Sequence, residues 1–326
     1  MLSALKGARI LITGGTGSFG QRFITRLLSD DAVAEVVVYS RDELKQFELH
    51  NQLKSSKARF VLGDIRDYAR FCQASQGIDF IIHAAAMKQI PAAENNPMEA
   101  IKTNVLGAEN VVRAAIENNV AKVIALSSDK AANPANLYGA TKLCSDKLML
   151  AGNFMQETSS TQFSVVRYGN VLGSRGSVIP FFLEKAKEGL IPITDNRMTR
   201  FWLTLDQAVD LVFTSLETMS GGEIYVPKIP SFKVIDVARV IAPNVPTVEI
   251  GIRPGEKLHE IMITEDDSSY TLMFDNHYRI ISPSLMRNYS GHQQTVPPDF
   301  VYRSDTNKDW LTDQSFLQLL VSTGLI

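Results

Sequence analysis

Asp129 and Lys130 stand side by side just behind the apolar run KVIAL, and Tyr138 and Lys142 follow them four residues apart in SSDKAANPANLYGATK. An acid next to a base, then a phenol and an ammonium, make two proton-transfer pairs within sixteen residues. Residues at i and i+4 share a helix face, so Lys142 can sit beneath the phenol of Tyr138. A free tyrosine titrates near ~10, and a fixed positive charge nearby favours the phenolate. Tyr138 is therefore a candidate proton acceptor at neutral pH. The chemistry to look for is one that needs both pairs.

The elements that must position these groups are readable upstream. ARILITGG is a buried strand running into Gly14, Gly17 and Gly20, with Thr16, Ser18 and Phe19 between them, and the helix QRFITRLLS follows. Glycines in that turn let backbone approach a pyrophosphate, whose charge meets the helix N-terminus. The spacing is G-x-x-G-x-x-G at the first strand-to-helix junction, where a dinucleotide site is expected. The strand VVVYS ends at Ser40 and Arg41, with Lys45 beyond. A hydroxyl and cations there favour NADP over NAD, because a guanidinium pairs with a 2′-phosphate; Asp42 keeps a ribose partner in play. RFVLGDIRD supplies a third strand and then Asp64 and Ile65 to flank an adenine. DFIIHAAA is a fourth, its small residues, Ala84 among them, letting backbone lie against the cofactor, with His83 as a packed side chain. Lys88 follows in the loop, within reach of a phosphate or a sugar hydroxyl. A helix spans Pro97 to Asn119, with Asn104 too deep for a cap and placed to bond backbone across the helix.

KVIALSS is the fifth strand, carrying the Asp-Lys pair to the carboxyl edge where doubly wound sheets bind ligands. A helix from Tyr138 to about Gln156 and the strand FSVVRYGNV follow. This alternation predicts an α/β fold: a Rossmann-like doubly wound parallel sheet with a smaller C-terminal substrate-binding domain. We expect residues 1–170 to form the NADP-binding domain, with 196–227 returning to it, and 171–195 and 228–326 to form the substrate domain. In the second part Arg175, Arg200 and Arg253 lie on separate loops and suit a diphosphate clamp. Glu256 stands at a helix start with Arg253, and Asn170 and Val178 flank the Gly/Ser loop; these join Lys88 as substrate contacts. The tail after about Glu265 is weakly patterned.

Composition narrows the class. The 326 residues are 45% hydrophobic and 21% charged with a formal charge of −2, so no basic field for nucleic acid is present. Cys72 and Cys144, without metal-ligand spacing, fit a reducing cytoplasm. No apolar run approaches the roughly 18 residues of a membrane span, and MLSALKGARILITGG leaves no room for a signal peptide. No metal cluster is expected. The helix beginning at Tyr138 carries more apolar positions than one core face needs, which points to a homo-oligomer.

With the glycine loop and the Tyr138/Lys142 pair in place, the chain resembles the extended short-chain dehydrogenase/reductase family. Within it, TGGTGSFG, VYSRDELKQ, SSDKAANPANLYGATKLCSDKL, FSVVRYGNVLGSRGSV, MTRFWLTLD, GGEIYVPKIPS and GIRPGEKLHEIMI resemble the inverting UDP-N-acetylglucosamine 4,6-dehydratases, over roughly the first 265 residues. Retaining sugar-nucleotide dehydratases carry Asp-Glu where this chain has Asp129-Lys130. Related capsule enzymes with Asp-Lys often have Met at the position of Tyr138, so the resemblance is to the pseudaminic acid branch. Ser128 replaces a typical Thr and keeps its hydroxyl. The resemblance implies a hydro-lyase with bound NADP acting on UDP-N-acetylglucosamine. Tyr138 takes the carbon 4 proton, aided by Lys142 and Ser128; Lys130 removes the carbon 5 proton, its pKa lowered by burial; Asp129 protonates the departing carbon 6 hydroxyl. Two other readings use fewer of these groups: a UDP-sugar 4-epimerase, which needs no Asp129-Lys130, and a nucleotide-sensing protein without catalysis.

Overall fold

Valine and isoleucine dominate the first strands, and in the computed structural model these strands are covered on both faces. The structure describes residues 5–29, 32–155, 160–174, 176–283, 285–286 and 294–326. The first half runs β1 (Arg9–Thr13), α1 (Ser18–Leu28), β2 (Glu35–Ser40), α2 (Glu43–Leu53), β3 (Ala58–Leu62), α3 (Tyr68–Ala74), β4 (Phe80–His83), α4 (Ile90–Asn95), α5 (Pro97–Ile101), a π turn (Lys102–Leu106), α6 (Gly107–Glu117), β5 (Lys122–Leu126), α7 (Leu137–Ala151) and β6 (Gln162–Val166). The second half adds β7 (Asn170–Val171), α8 (Val178–Lys187), β8 (Ile191–Ile193), β9 (Thr199–Leu203), α9 (Leu205–Thr218), β10 (Glu223–Pro227), β11 (Ser231–Lys233), α10 (Val234–Ile241), β12 (Thr247–Glu249) and β13 (Ile261–Ile263). It closes with α11 (Glu265–Ser268), β14 (Thr271–Met273), β15 (His277–Ile281), β16 (Gln294–Thr295), β17 (Tyr302–Arg303) and α12 (Asp313–Ser322).

Seven strands, in the order β3-β2-β1-β4-β5-β6-β10, are parallel. Ile10, Leu11 and Ile12 of β1 and Val36, Val37 and Val38 of β2 are fully buried, as a sheet covered by helices on both faces requires. The strand order reverses between β1 and β4, and that switch point opens a crevice at the carboxyl ends. The expected Rossmann-like sheet is therefore present.

The tail departs from its weak pattern. β15 pairs antiparallel with β10, β14 with β15, and β16 with β14, so residues after 265 extend the main sheet to ten strands. Strands this short carry too few residues for an alternation signal, and their pairing is decided by distant neighbours. A second, smaller core gathers Phe182 of α8, Ile191 and Ile193 of β8, Trp202 of β9, Phe232 of β11, Val237 of α10, and Phe316 and Leu320 of α12. Among the described residues no helix is long and apolar enough to cross a membrane.

The helix expected over Pro97 to Asn119 contains a π turn, a feature with no compositional signature that concentrates at functional sites. Its Asn104 is buried, accepts from the Met87 N–H at 2.7 Å, and donates to the Met87 carbonyl at 2.9 Å and to Thr141 Oγ1 at 3.0 Å. One side chain thus ties the loop after β4 to α7. Asn104→Ala would strand both backbone groups of Met87, and each buried unsatisfied group costs about 1–3 kcal/mol. We expect the variant to lose about 2–3 kcal/mol in urea unfolding; an unchanged midpoint would remove Asn104 as the tie.

Candidate active site

The glycine loop meets the physical demands of a dinucleotide site. Gly14 has φ +66°, and a Cβ there would lie 2.9 Å from Ala85 backbone. A Cβ at Gly20 would run into the Gly15 backbone, so α1 closes onto β1 only with glycine there. Gly17 is the N-cap of α1 and offers no side chain, leaving the helix's first N–H groups open toward an anion. Thr13 Oγ1 accepts from the N–H groups of Ala84 and Ala85, both at 3.1 Å, which holds the small-residue loop beside these glycines.

A cleft of about 610 Å³ runs along this edge. Every cofactor position named from the sequence lines it: Gly14, Thr16, Gly17, Ser18, Phe19, Gly20, Ser40, Arg41, Lys45, Asp64, Ile65, Ala84, Lys88, Tyr138 and Lys142. Ser128, Asp129, Lys130 and Asn170 line it too. Val178, Arg200, Arg253 and Glu256 are not on its wall, and Arg175 lies outside the described residues. Arg200 is buried and donates to the carbonyls of Thr199 at 2.7 Å, Lys257 at 2.9 Å and Leu258 at 3.1 Å. Arg253 is exposed, 3.9 Å from Glu256.

Beyond Leu126 the chain makes a single tight turn, Asp129–Ala131, which brings both members of the Asp-Lys pair to the cleft. Ser128 caps it, accepting from the Lys130 N–H at 3.2 Å and donating to Asp129 Oδ1 at 2.8 Å. Asn133, at φ +49°, turns the chain toward α7, and Asn136 caps that helix by accepting from Gly139 N at 2.8 Å. A Cβ on Gly139 would strike the Lys130 carbonyl, so the first turn of α7 packs directly on the Asp-Lys turn.

Lys130 Nζ lies 3.2 Å from Asp129 Oδ1 and 3.2 Å from Glu260 Oε1. Asp129 is fully buried, and that burial pushes its carboxyl up against the pull of Lys130. Burial also acts on Lys130, downward, but the carboxylates of Asp129 and Glu260 overcome it and hold the ammonium above its ordinary range. Burial alone was expected to lower Lys130; the second carboxylate reverses the sign. Tyr138 is raised, by burial first, with Lys130 as the cation that most favours its phenolate and the Ser128 hydroxyl assisting. Lys142, expected in that role, is itself lowered by burial, with Asp146 opposing. Glu260 and Lys257 were missed in the sequence. The available signal was a charged residue inside the otherwise apolar HEIMI.

A family model described as polysaccharide biosynthesis protein matches residues 10–282. An inverting UDP-N-acetylglucosamine 4,6-dehydratase of Campylobacter jejuni subsp. jejuni is 51% identical, the alignment covering 97% of this chain and 98% of that protein. The chain belongs to the inverting UDP-N-acetylglucosamine 4,6-dehydratase family.

Outside this dehydratase group, a UDP-glucose 4-epimerase of Rickettsia canadensis is 41% identical over 86% of the chain and 85% of its own length. The X-ray structure of Pen from Bacillus thuringiensis superposes with a TM-score of 0.91 at 36% identity, covering 99% of each chain. DesIV, a dTDP-glucose 4,6-dehydratase of Streptomyces venezuelae, shares the fold with a TM-score of 0.69 at 23% identity, over 77% of this chain and 86% of its own.

The expectation of NADP is corrected by these structures. DesIV and a UDP-glucuronic acid 4-epimerase of Bacillus cereus hold NAD. In this dehydratase the cations assigned to a 2′-phosphate already face carboxylates: Lys45 Nζ is 2.5 Å from Asp42, and Arg41 is 4.0 Å from Asp64. Read as a string, the end of β2 looked cationic; in space Asp42 holds Lys45, and Asp64 is shared between Arg41 and the closer Arg66.

His83 anchors the cofactor wall. Thr13 Oγ1 accepts two N–H groups, so its own hydrogen points at His83 Nδ1, 2.8 Å away. That bond needs a neutral imidazole, and burial with Lys142 nearby holds His83 down to about 3. The folded value is depressed, so the stability is present above the unfolded pKa near ~6.5 and is lost as pH falls toward about 3. We expect His83 to account for about 2 kcal/mol of stability lost between pH 7 and pH 5. His83→Asn should flatten that segment of the urea midpoint against pH; an unchanged slope would place the acid sensitivity elsewhere.

Proposed function

We propose that the chain removes water from UDP-N-acetylglucosamine across carbons 5 and 6 with inversion at carbon 5, the entry step to a pseudaminic-type sugar. What supports this reading is the contact of Lys130 Nζ with Asp129 Oδ1 at 3.2 Å, beside Tyr138 in one cleft. A nicotinamide dinucleotide, when bound on the Gly14–Gly20 turn, supplies the hydride acceptor and donor.

The protein's own groups divide the proton work. Tyr138 accepts the carbon 4 hydroxyl proton, and Ser128 bonds the oxygen left there. A ketone at carbon 4 acidifies the carbon 5 proton, which a neutral Lys130 removes. Lys130 reaches neutrality by passing its proton to Asp129, and the same transfer makes Asp129 the acid that the carbon 6 hydroxyl needs in order to leave. Burial of Asp129 favours its protonated form. Return of a proton to carbon 5 from the opposite face gives inversion.

Lys142 and Lys88 hold the cofactor side. Asn170, whose buried Oδ1 has no partner in the structure, faces the nucleotide sugar. Arg175, Arg253, Glu256 and Val178 remain assigned to the UDP half, on segments 171–195 and 228–326, opposite the dinucleotide half at 1–170 with 196–227; Arg200, expected with them, instead spends its guanidinium on the carbonyls of Thr199, Lys257 and Leu258. The two free cysteines suit a cytoplasmic enzyme. Met98 and Leu106, 57% and 45% exposed, offer apolar surface for a second copy of the chain.

The 4-epimerase reading shares Tyr138 and Lys142 and is separated by isotope. In heavy water with UDP-N-acetylglucosamine, the dehydratase incorporates deuterium at carbon 5 and releases the carbon 6 hydroxyl; an epimerised product without deuterium would overturn the assignment. Lys130→Ala should lower product formation by about 100-fold or more with nucleotide-sugar affinity within about threefold. Near-normal turnover of that variant would take Lys130 out of the chemistry.

A further inference from the structure

Lys130 is gripped by a carboxylate that comes from a segment remote in sequence. Glu260 directly precedes β13 and is buried, with Oε1 as close to Lys130 Nζ as Asp129 is. Its backbone is pinned on both sides by Ser304: Glu260 N donates to Ser304 Oγ at 3.0 Å, and Ser304 N donates to the Glu260 carbonyl at 2.9 Å. Arg200 Nε stands 3.6 Å from Oε1, its guanidinium already locked by three carbonyls. Lys257 Nζ donates to the Ala132 carbonyl at 2.7 Å, joining this segment to the loop behind the Asp-Lys turn. Glu260 Oε2 and Asp129 Oδ2 are buried without a hydrogen-bond partner.

We propose that Glu260 is a positioning residue for the Asp129–Lys130 pair, taking one N–H of Nζ so that the nitrogen stays against Asp129 and at the cleft. The inference rests on the dehydratase reading above. An ammonium has three N–H donors and no acceptor; one goes to Glu260 and one to Asp129. Lys130 is faced by Asp129, Glu260, Arg200 and Tyr138, and Glu260 by Lys130, Arg200, Lys257 and Asp129. Burial would raise Glu260, but those three cations hold it below the ordinary carboxylate range, so it stays ionised. Its fixed charge in turn pushes Asp129 further toward holding a proton.

The protons then balance over one elimination. Nζ gives its proton to Asp129; the neutral amine takes the proton from carbon 5, and the C–H electron pair becomes the carbon 5–carbon 6 double bond. The C–O pair leaves with the carbon 6 hydroxyl, which takes the Asp129 proton and departs as water. The pair returns to ammonium and carboxylate, and Glu260 never changes charge.

The test uses Glu260→Gln and Glu260→Asp in the purified enzyme. Brief acetic anhydride labelling at pH 8, read by peptide mass spectrometry, reports the neutral fraction of each lysine, with buried Lys142 as the internal reference. Glu260→Gln should raise Lys130 labelling relative to Lys142 by about tenfold, the equivalent of about one pH unit, while Glu260→Asp stays within about twofold. Turnover of Glu260→Gln should fall about 100-fold with KM within about threefold, and Glu260→Asp should recover part of it. Unchanged Lys130 labelling, an equal rise at Lys142, or wild-type turnover would each overturn the proposal. Labelling needs no turnover, so an enzyme that failed to dehydrate its sugar would retire the reaction while labelling still decided the role of Glu260.

Discussion

One ammonium shared by two carboxylates at the end of β5 is the interaction around which the rest of the molecule makes sense. Charges withdrawn from water are costly unless paired and hydrogen-bonded, and breaking such a pair is worse than never having built it. Here the pairing is drawn from segments far apart in the chain. Asp129 and Lys130 hang from the main sheet, while Arg200, Lys257 and Glu260 arrive with β9 and the segment before β13. Neither segment alone would hold these groups in this charge state. The packing of β13 into the main core therefore completes the charge cluster.

The support is local and specific. Ser128 serves the turn twice, as cap to Lys130 and as donor to Asp129. Thr13, by accepting two backbone N–H groups, fixes both the wall beside the glycine loop and the tautomer of His83. Asn104 ties the loop after β4 to α7 through the π turn. Each is a small polar side chain that settles buried backbone groups which regular structure leaves unpaired. The cleft is thus walled by loops whose freedom has been removed one hydrogen bond at a time.

Much of this was legible in the chain. Parallel strands covered on both faces write themselves as runs of Val and Ile, and the Gly14-Gly17-Gly20 spacing marks the first turn because only glycine fits at its two ends. The Asp-Lys and Tyr-Lys pairs declared themselves because both are local. What was hidden depends on distance. Glu260 lies 130 positions from Lys130 and reverses its expected titration; no window of sequence joins them. The cations at the end of β2 read as phosphate ligands until Asp42 and Asp64 were placed against them. The tail strands β14 to β16 are too short to carry a period and owe their existence to β10. Local chemistry survives reading in one dimension; charge balance does not.

Gly139 has a kinetic meaning as well as a steric one. Because nothing larger than hydrogen fits between α7 and the Lys130 carbonyl, the phenol proposed to take the carbon 4 proton and the pair proposed to carry out the elimination are packed directly together. In the proposed reaction, a sugar oxidised at carbon 4 would already be in register for the next step, with no sliding or re-docking between them. On the proposed mechanism, the ketone then meets its base where it was formed, which favours elimination over escape.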